Sequence, residues 1–124
     1  MESEVLKRII SLQSSLLQTH SQFLELSRNL NQSPDIFSNG IQLEKRLSKR
    51  RDIADNLVSM SKEILELGRE CMKNEEQAST LIKLNADFLD TLNPIMNEII
   101  SEEEKLQKLA RENGIPVKID LFSR

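Results

Sequence analysis

The sequence predicts an all-α protein, an elongated antiparallel helical hairpin or three-helix bundle with coiled-coil character and a short extended C-terminal tail. Three observations predict it. Apolar residues recur at helical spacing over most of the chain. The core must be aliphatic, because Trp and Tyr are absent and four Phe are the only aromatics among 124 residues. Glycine and proline are few, three of each, and leave long stretches uninterrupted.

The first helix is expected over about residues 2–31. Ile9, Leu16, Phe23 and Leu30 stand seven apart, with Val5, Leu12 and Leu26 at the companion positions of a heptad. A second ridge of Ile10, Leu17 and Leu24 widens the apolar face to about 160°, enough to touch two neighbouring helices. His20 falls inside this face, in line with Gln13 and Ser27.

Residues 31–40, NQSPDIFSNG, form the clearest connection, with Ser33-Pro34 at one end and Asn39-Gly40 at the other. Ile36 and Phe37 within it are expected to plug the end of the bundle.

From Ile53 the seam reads Ile53, Leu57, Met60, Ile64, Leu67 and Cys71, alternating steps of four and three. The same count continues through Asn74, Ala78, Leu81, Asn85, Phe88, Leu92, Ile95, Ile99, Glu102, Leu106 and Leu109. It predicts helices over about 41–92 and 94–112, joined at Pro94, where the retained phase favours a kink over a new start. The polar run Lys73–Gln77 is the other place where the chain could fold back. An unbroken seam from 53 to 109 would be a rod of roughly 85 Å, longer than one 30-residue helix can cover. Part of it is therefore expected to meet a partner chain.

Arg111 in the last turn, then Gly114 and Pro116, mark the helix end. Residues 1–114 thus form the helical unit, and 115–124 an extended tail. Ile119, Leu121 and Phe122 give that tail apolar residues for a partner's pocket or sheet edge, or for the bundle's own end.

Composition narrows the function. The net charge of -3 is too small to steer the whole chain toward nucleic acid or an anionic membrane. A single cysteine, Cys71, allows neither an internal disulfide nor a cysteine cluster for zinc, and fits an intracellular setting in cytoplasm or nucleus. No stretch reads as a membrane span or signal peptide. His20 has no second His or Cys close by, so no metal is expected, and no cofactor motif is present. Cys71 on the seam reads as a small hydrophobe, and no base stands near it in sequence to activate it. Carboxylates scatter over solvent faces, so catalysis has no positive sign.

Asn74 and Asn85 at seam positions are candidates for fixing register, and Gly68 for a close helix approach or a bend. Lys45, Arg46, Lys49, Arg50 and Arg51 put five basic residues in seven, which reads first as a solvated helix face. Their functional version is contact with an acidic partner segment, such as that formed by Glu98, Glu102, Glu103 and Glu104, within the chain or between copies. Without interleaved aromatics, nucleic acid is the less favoured target.

The expected function is that of a non-enzymatic structural subunit of an intracellular multiprotein complex, binding partner helices as a hetero- or homo-oligomer. Val5, Ile9, Leu16, Phe23, Leu57, Ile64, Leu81, Phe88 and Ile99 are the residues expected to carry the contact, with Ile119, Leu121 and Phe122 in the tail. Two alternatives are a monomeric chaperone or regulator that captures an amphipathic peptide, and an adaptor that meets an anionic surface through residues 45–51.

Overall fold

A computed structural model describes residues 3–115 as three long antiparallel helices: α1 Glu4–Asn31, α2 Gly40–Cys71 and α3 Glu75–Glu112. A short 3₁₀ helix, Pro34–Ser38, connects the first two. No strand occurs among the described residues. The protein is therefore an all-α three-helix bundle, as its sequence periodicity predicts.

Each start is set by a cap. Ser3 accepts a hydrogen bond from the Leu6 amide at 3.1 Å, Asn39 from Gln42 at 3.2 Å and Asn74 from Gln77 at 3.0 Å. In each case the side-chain oxygen satisfies a donor that the first turn leaves without a helical partner. Glu75 and Glu76 follow Asn74 in the first turn of α3, where carboxylates complement the helix dipole. At the other end Gly114 adopts φ 67°, and the Ile115 amide reaches back to the Ala110 carbonyl at 2.8 Å. That left-handed residue closes the helix as glycine does at little steric cost.

Two expected boundaries are corrected. The segment expected as one helix over 41–92 turns at Met72–Asn74, so Asn74 is a cap at the head of α3 and not a buried seam amide. The seam count survives the turn because three residues of connection occupy the same interval as one heptad step, and α2 and α3 each face α1 independently. Cys71 and Leu81, on either side of the turn, are accordingly buried in one cluster. The 85 Å rod does not form, so no partner is needed to cover its length.

Pro94 neither ends a helix nor starts one; it lies inside α3. Pro94 and Asp90 are both exposed, so the Asp90 carbonyl that loses its usual donor lies on the solvated side of the helix.

The core runs along α1 in three apolar clusters. Leu6, Ile9, Cys71 and Leu81 fill one end. Leu16, Phe23, Leu24, Leu57 and Ile99 fill the middle. Leu30, Ile36, Phe37, Leu43, Leu106 and Ala110 fill the other, where Ile36 and Phe37 do close the bundle end. α1 packs along both α2 and α3, whereas α2 and α3 touch each other little. Wide apolar coverage on α1, the double ridge of its sequence, is what lets one helix serve two neighbours.

Candidate helix-docking surface

Most of the residues expected to meet a partner are in the chain's own core. Ile9, Leu16, Phe23, Leu57, Leu81 and Ile99 are all buried between the three helices. Val5, Ile64 and Phe88 are half-buried against the same clusters. Ile119, Leu121 and Phe122 lie outside the described residues.

The polar line on α1 is also internal. Gln13 donates to Asn85 Oδ1 at 2.9 Å, joining α1 to α3 and fixing their register. His20, inside the apolar face of α1, is buried within the bundle, where its Nδ1–H donates to the Leu16 carbonyl at 2.7 Å. Burial lowers its pKa below 6.5, the hydrogen bond to Leu16 opposing in part.

Ser27 belongs to a buried network that draws on all three helices. The Arg50 guanidinium pairs with Glu103 Oε1, its Nε lies 3.4 Å from Ser27 Oγ, and its plane covers Phe23 with 4.6 Å to the ring centroid. The Ser27 hydroxyl stands 3.0 Å from the Phe23 carbonyl and 3.2 Å from Glu103 Oε1, and with one proton it donates to one of them at a time. Burial pushes the Arg50 pKa down to about 10, which still leaves the group protonated at neutral pH. Glu103 Oε2 is buried with no hydrogen-bond partner, so the network is only partly satisfied.

This geometry takes one residue out of the basic patch and leaves the other four exposed. Arg50 points into the core, and Arg51 bonds Glu44 at 2.7 Å along the surface of α2. Lys45, Arg46 and Lys49 are exposed, and the last two line a shallow hollow with Leu26, Asn29, Gln32 and Ser33. The acidic segment likewise pairs within the chain: Glu98 with Arg28 at 2.7 Å, Glu102 with Asn31 at 2.7 Å, and Glu103 with Arg50. No group of three His, Cys, Asp or Glu side chains that could hold a metal occurs among the described residues. The Cys71 thiol is buried, and burial, with Glu70 nearby, raises its pKa, the opposite of what a nucleophile needs.

What remains open is an apolar stripe that the seam count passed over. Leu65 is 62% exposed, Met72 57%, Ile82 62%, Leu89 48% and Ile100 42%. On α2 and its C-cap, Val58, Leu65 and Met72 are seven apart; on α3, Ile82, Leu89 and Met96 are seven apart, with Ile100 four further on. Each set lies about 100° round its helix from the buried line, next to the residues through which α2 and α3 face one another.

The contact that fixes this side is at Gly68, where an added Cβ would stand 3.6 Å from Leu81. The two stripes therefore flank the crease between α2 and α3, on the surface away from α1. The signal was present in the sequence as a second heptad register beside the first. It is hidden there because a buried and an exposed aliphatic residue are the same letter.

The fold and this surface define a class, a three-helix bundle that leaves an apolar groove between two of its helices. Comparisons with protein families, with curated proteins and with solved structures give no match, so the functional reading rests on the residues themselves.

Proposed function

We propose that the protein is a non-enzymatic assembly subunit that binds a partner helix in the groove between α2 and α3. The observation that carries this reading is the packing asymmetry. α1 covers both other helices while those two scarcely meet, which leaves large aliphatic side chains 42–62% exposed along both walls.

In a square four-helix bundle, two helices on the diagonal touch little and are bridged by the other two. α2 and α3 stand in that relation with α1 as one bridge, and a helix laid in the outer groove would be the second. Half-burying a Leu, Ile or Met side chain further is worth about 1 kcal/mol, so five such residues offer several kcal/mol to an occupant. Isolated exposed aliphatics need no explanation, whereas a contiguous stripe of them marks an interaction surface. Helix-in-groove recognition through anchors at heptad spacing uses this kind of surface. No described helix is long and apolar enough to cross a membrane, so the stripe is not part of a span.

The test is affinity purification from the native cell with the wild-type chain and with a Leu65→Glu/Ile82→Glu variant. Both sites are mostly exposed, so the fold should tolerate the change. Partners recovered by the wild type and lost by the variant would support the reading. An identical set of partners from both would refute it.

A further inference from the structure

We infer that the turn between α2 and α3 is a hinge, and that opening it lets two copies of this chain exchange α3 and form a domain-swapped dimer. The inference is independent of what occupies the outer groove.

The turn is already close to helical. Met72 keeps φ −68° and ψ −12°, and the amides of Met72, Lys73 and Asn74 bond back to the carbonyls of Gly68, Glu70 and Cys71 at 3.0, 3.3 and 3.1 Å. The departure is at Asn74, which is extended at φ −118° and ψ 122°. Met72–Asn74 includes no glycine or proline and no residue of positive φ. Met72, Lys73, Glu75, Glu76 and Gln77 around Asn74 are all strong helix formers. Returning Asn74 to helical torsions fuses α2 and α3 into one helix over Gly40–Glu112, roughly 110 Å long.

The fused helix would keep a single covered face. Leu57, Ile64, Cys71, Ala78, Asn85 and Leu92 are seven apart straight across the turn. All but Asn85 are buried or half-buried, and Asn85 bonds Gln13 of α1. Few turns would preserve such a line, since only a continuous helix requires it.

Exchange also preserves the contacts. α1 is antiparallel to α2, as Arg8–Glu63 and Ser27–Arg50 show, and parallel to α3, as Gln13–Asn85 and Ser27–Glu103 show. A twofold axis across the fused helix at the hinge lays α3 of one copy beside α1 and α2 of the other with these directions unchanged. The α1–α2 contacts stay within a copy, and Gln13–Asn85, Ser27–Glu103 and Arg50–Glu103 re-form between copies. Little holds the hinge shut, because α2 and α3 touch each other little and opening gives up the Asn74 cap. Exchange of an identical element about a short hinge is a low-cost route to a dimer.

The test is to refold the purified full chain from urea over a micromolar to millimolar series and measure sedimentation velocity. The wild type should yield a dimer with the high frictional ratio of a long rod. Asn74→Ala removes the cap and favours the fused helix, so it should strengthen the dimer roughly tenfold for each of its two hinges. Glu75→Pro should weaken it roughly hundredfold for each hinge, because a proline there interrupts the fused helix. At the first position of α3 proline is tolerated, and Asn74 already has the extended backbone that a residue before proline adopts. Inserting two glycines after Lys73 should act in the same direction, which keeps a readout if the proline variant fails to fold. Wild type and Asn74→Ala that both stay monomeric throughout would overturn the inference. So would a dimer that survives Glu75→Pro and the glycine insertion unchanged, since copies that merely dock side by side do not need the hinge to open.

Discussion

Replacing Glu103 by leucine isolates the most consequential polar contact in the bundle. Arg50 and Glu103 have side chains only 6% and 4% exposed, so each carries its charge out of water and depends on the other. Breaking a buried pair from one side costs about 3–5 kcal/mol, because the surviving charge is left without compensation. Phe23 and Ser27 still touch the guanidinium after the change, which places Glu103→Leu toward the lower end of that range. For a domain of this length, about 4 °C of melting temperature corresponds to each kcal/mol, so the midpoint should fall by roughly 12–16 °C.

The paired replacement Arg50→Met/Glu103→Leu removes both charges together with the unsatisfied Glu103 Oε2, and should melt near the wild type or above it. Far-UV circular dichroism melts of the four proteins complete a double-mutant cycle, in which strong non-additivity is expected. A Glu103→Leu variant that loses less than about 1 kcal/mol would refute the reasoning, since it would mean that Arg50 escapes to solvent at little cost.

Other outcomes follow from single positions. Gly68→Ala should raise stability by about 0.5–1 kcal/mol, because the helix gains Ala propensity and the new methyl meets Leu81 at ordinary contact distance; urea titration will show it. Asn74→Ala removes the cap of α3 and should cost about 0.5–2 kcal/mol by the same titration, where an exposed seam residue would cost almost nothing. His20 is buried with its folded pKa below 6.5, so below that pH the unfolded chain binds the proton more readily than the folded one. Stability should therefore fall as pH drops through the window under 6.5, and His20→Gln should flatten that part of the profile; equal slopes in both proteins would contradict the burial.

The long helices were legible because burial on α1 imposes a heptad that its sequence cannot hide, and Ile9, Leu16, Phe23 and Leu30 all lie in the core as their spacing predicts. The turn at Met72–Asn74 was harder to place, since α2 and α3 face the same helix and so keep one phase across it. The local chemistry of Asn74, Glu75 and Glu76 gave the better signal there. At Pro94 the retained phase was the better guide than the residue type: the helix continues through it, and the carbonyl it deprives lies on an exposed face where water can replace the lost donor.

The groove lay beyond sequence reasoning for a related cause. Spacing identifies faces of helices, but which of two adjacent faces is covered depends on how many helices share the bundle. Leu57 and Leu65 differ only in that respect. The basic cluster is partly legible: the seam that begins at Ile53 falls on Arg50 when carried back one step, seven before Leu57, whereas its inward charge is met only by Glu103 across the bundle, which no local pattern at Arg50 shows.

The most direct test of the central claim is sedimentation velocity of fluorescently labelled chain in extract of its native cell, wild type against Leu65→Glu/Ile82→Glu. This reads engagement of the groove whether the occupant is a second copy or another protein. The account predicts that the wild type sediments faster than the free chain and that the variant sediments as the free chain. Indistinguishable boundaries for the two proteins would contradict it.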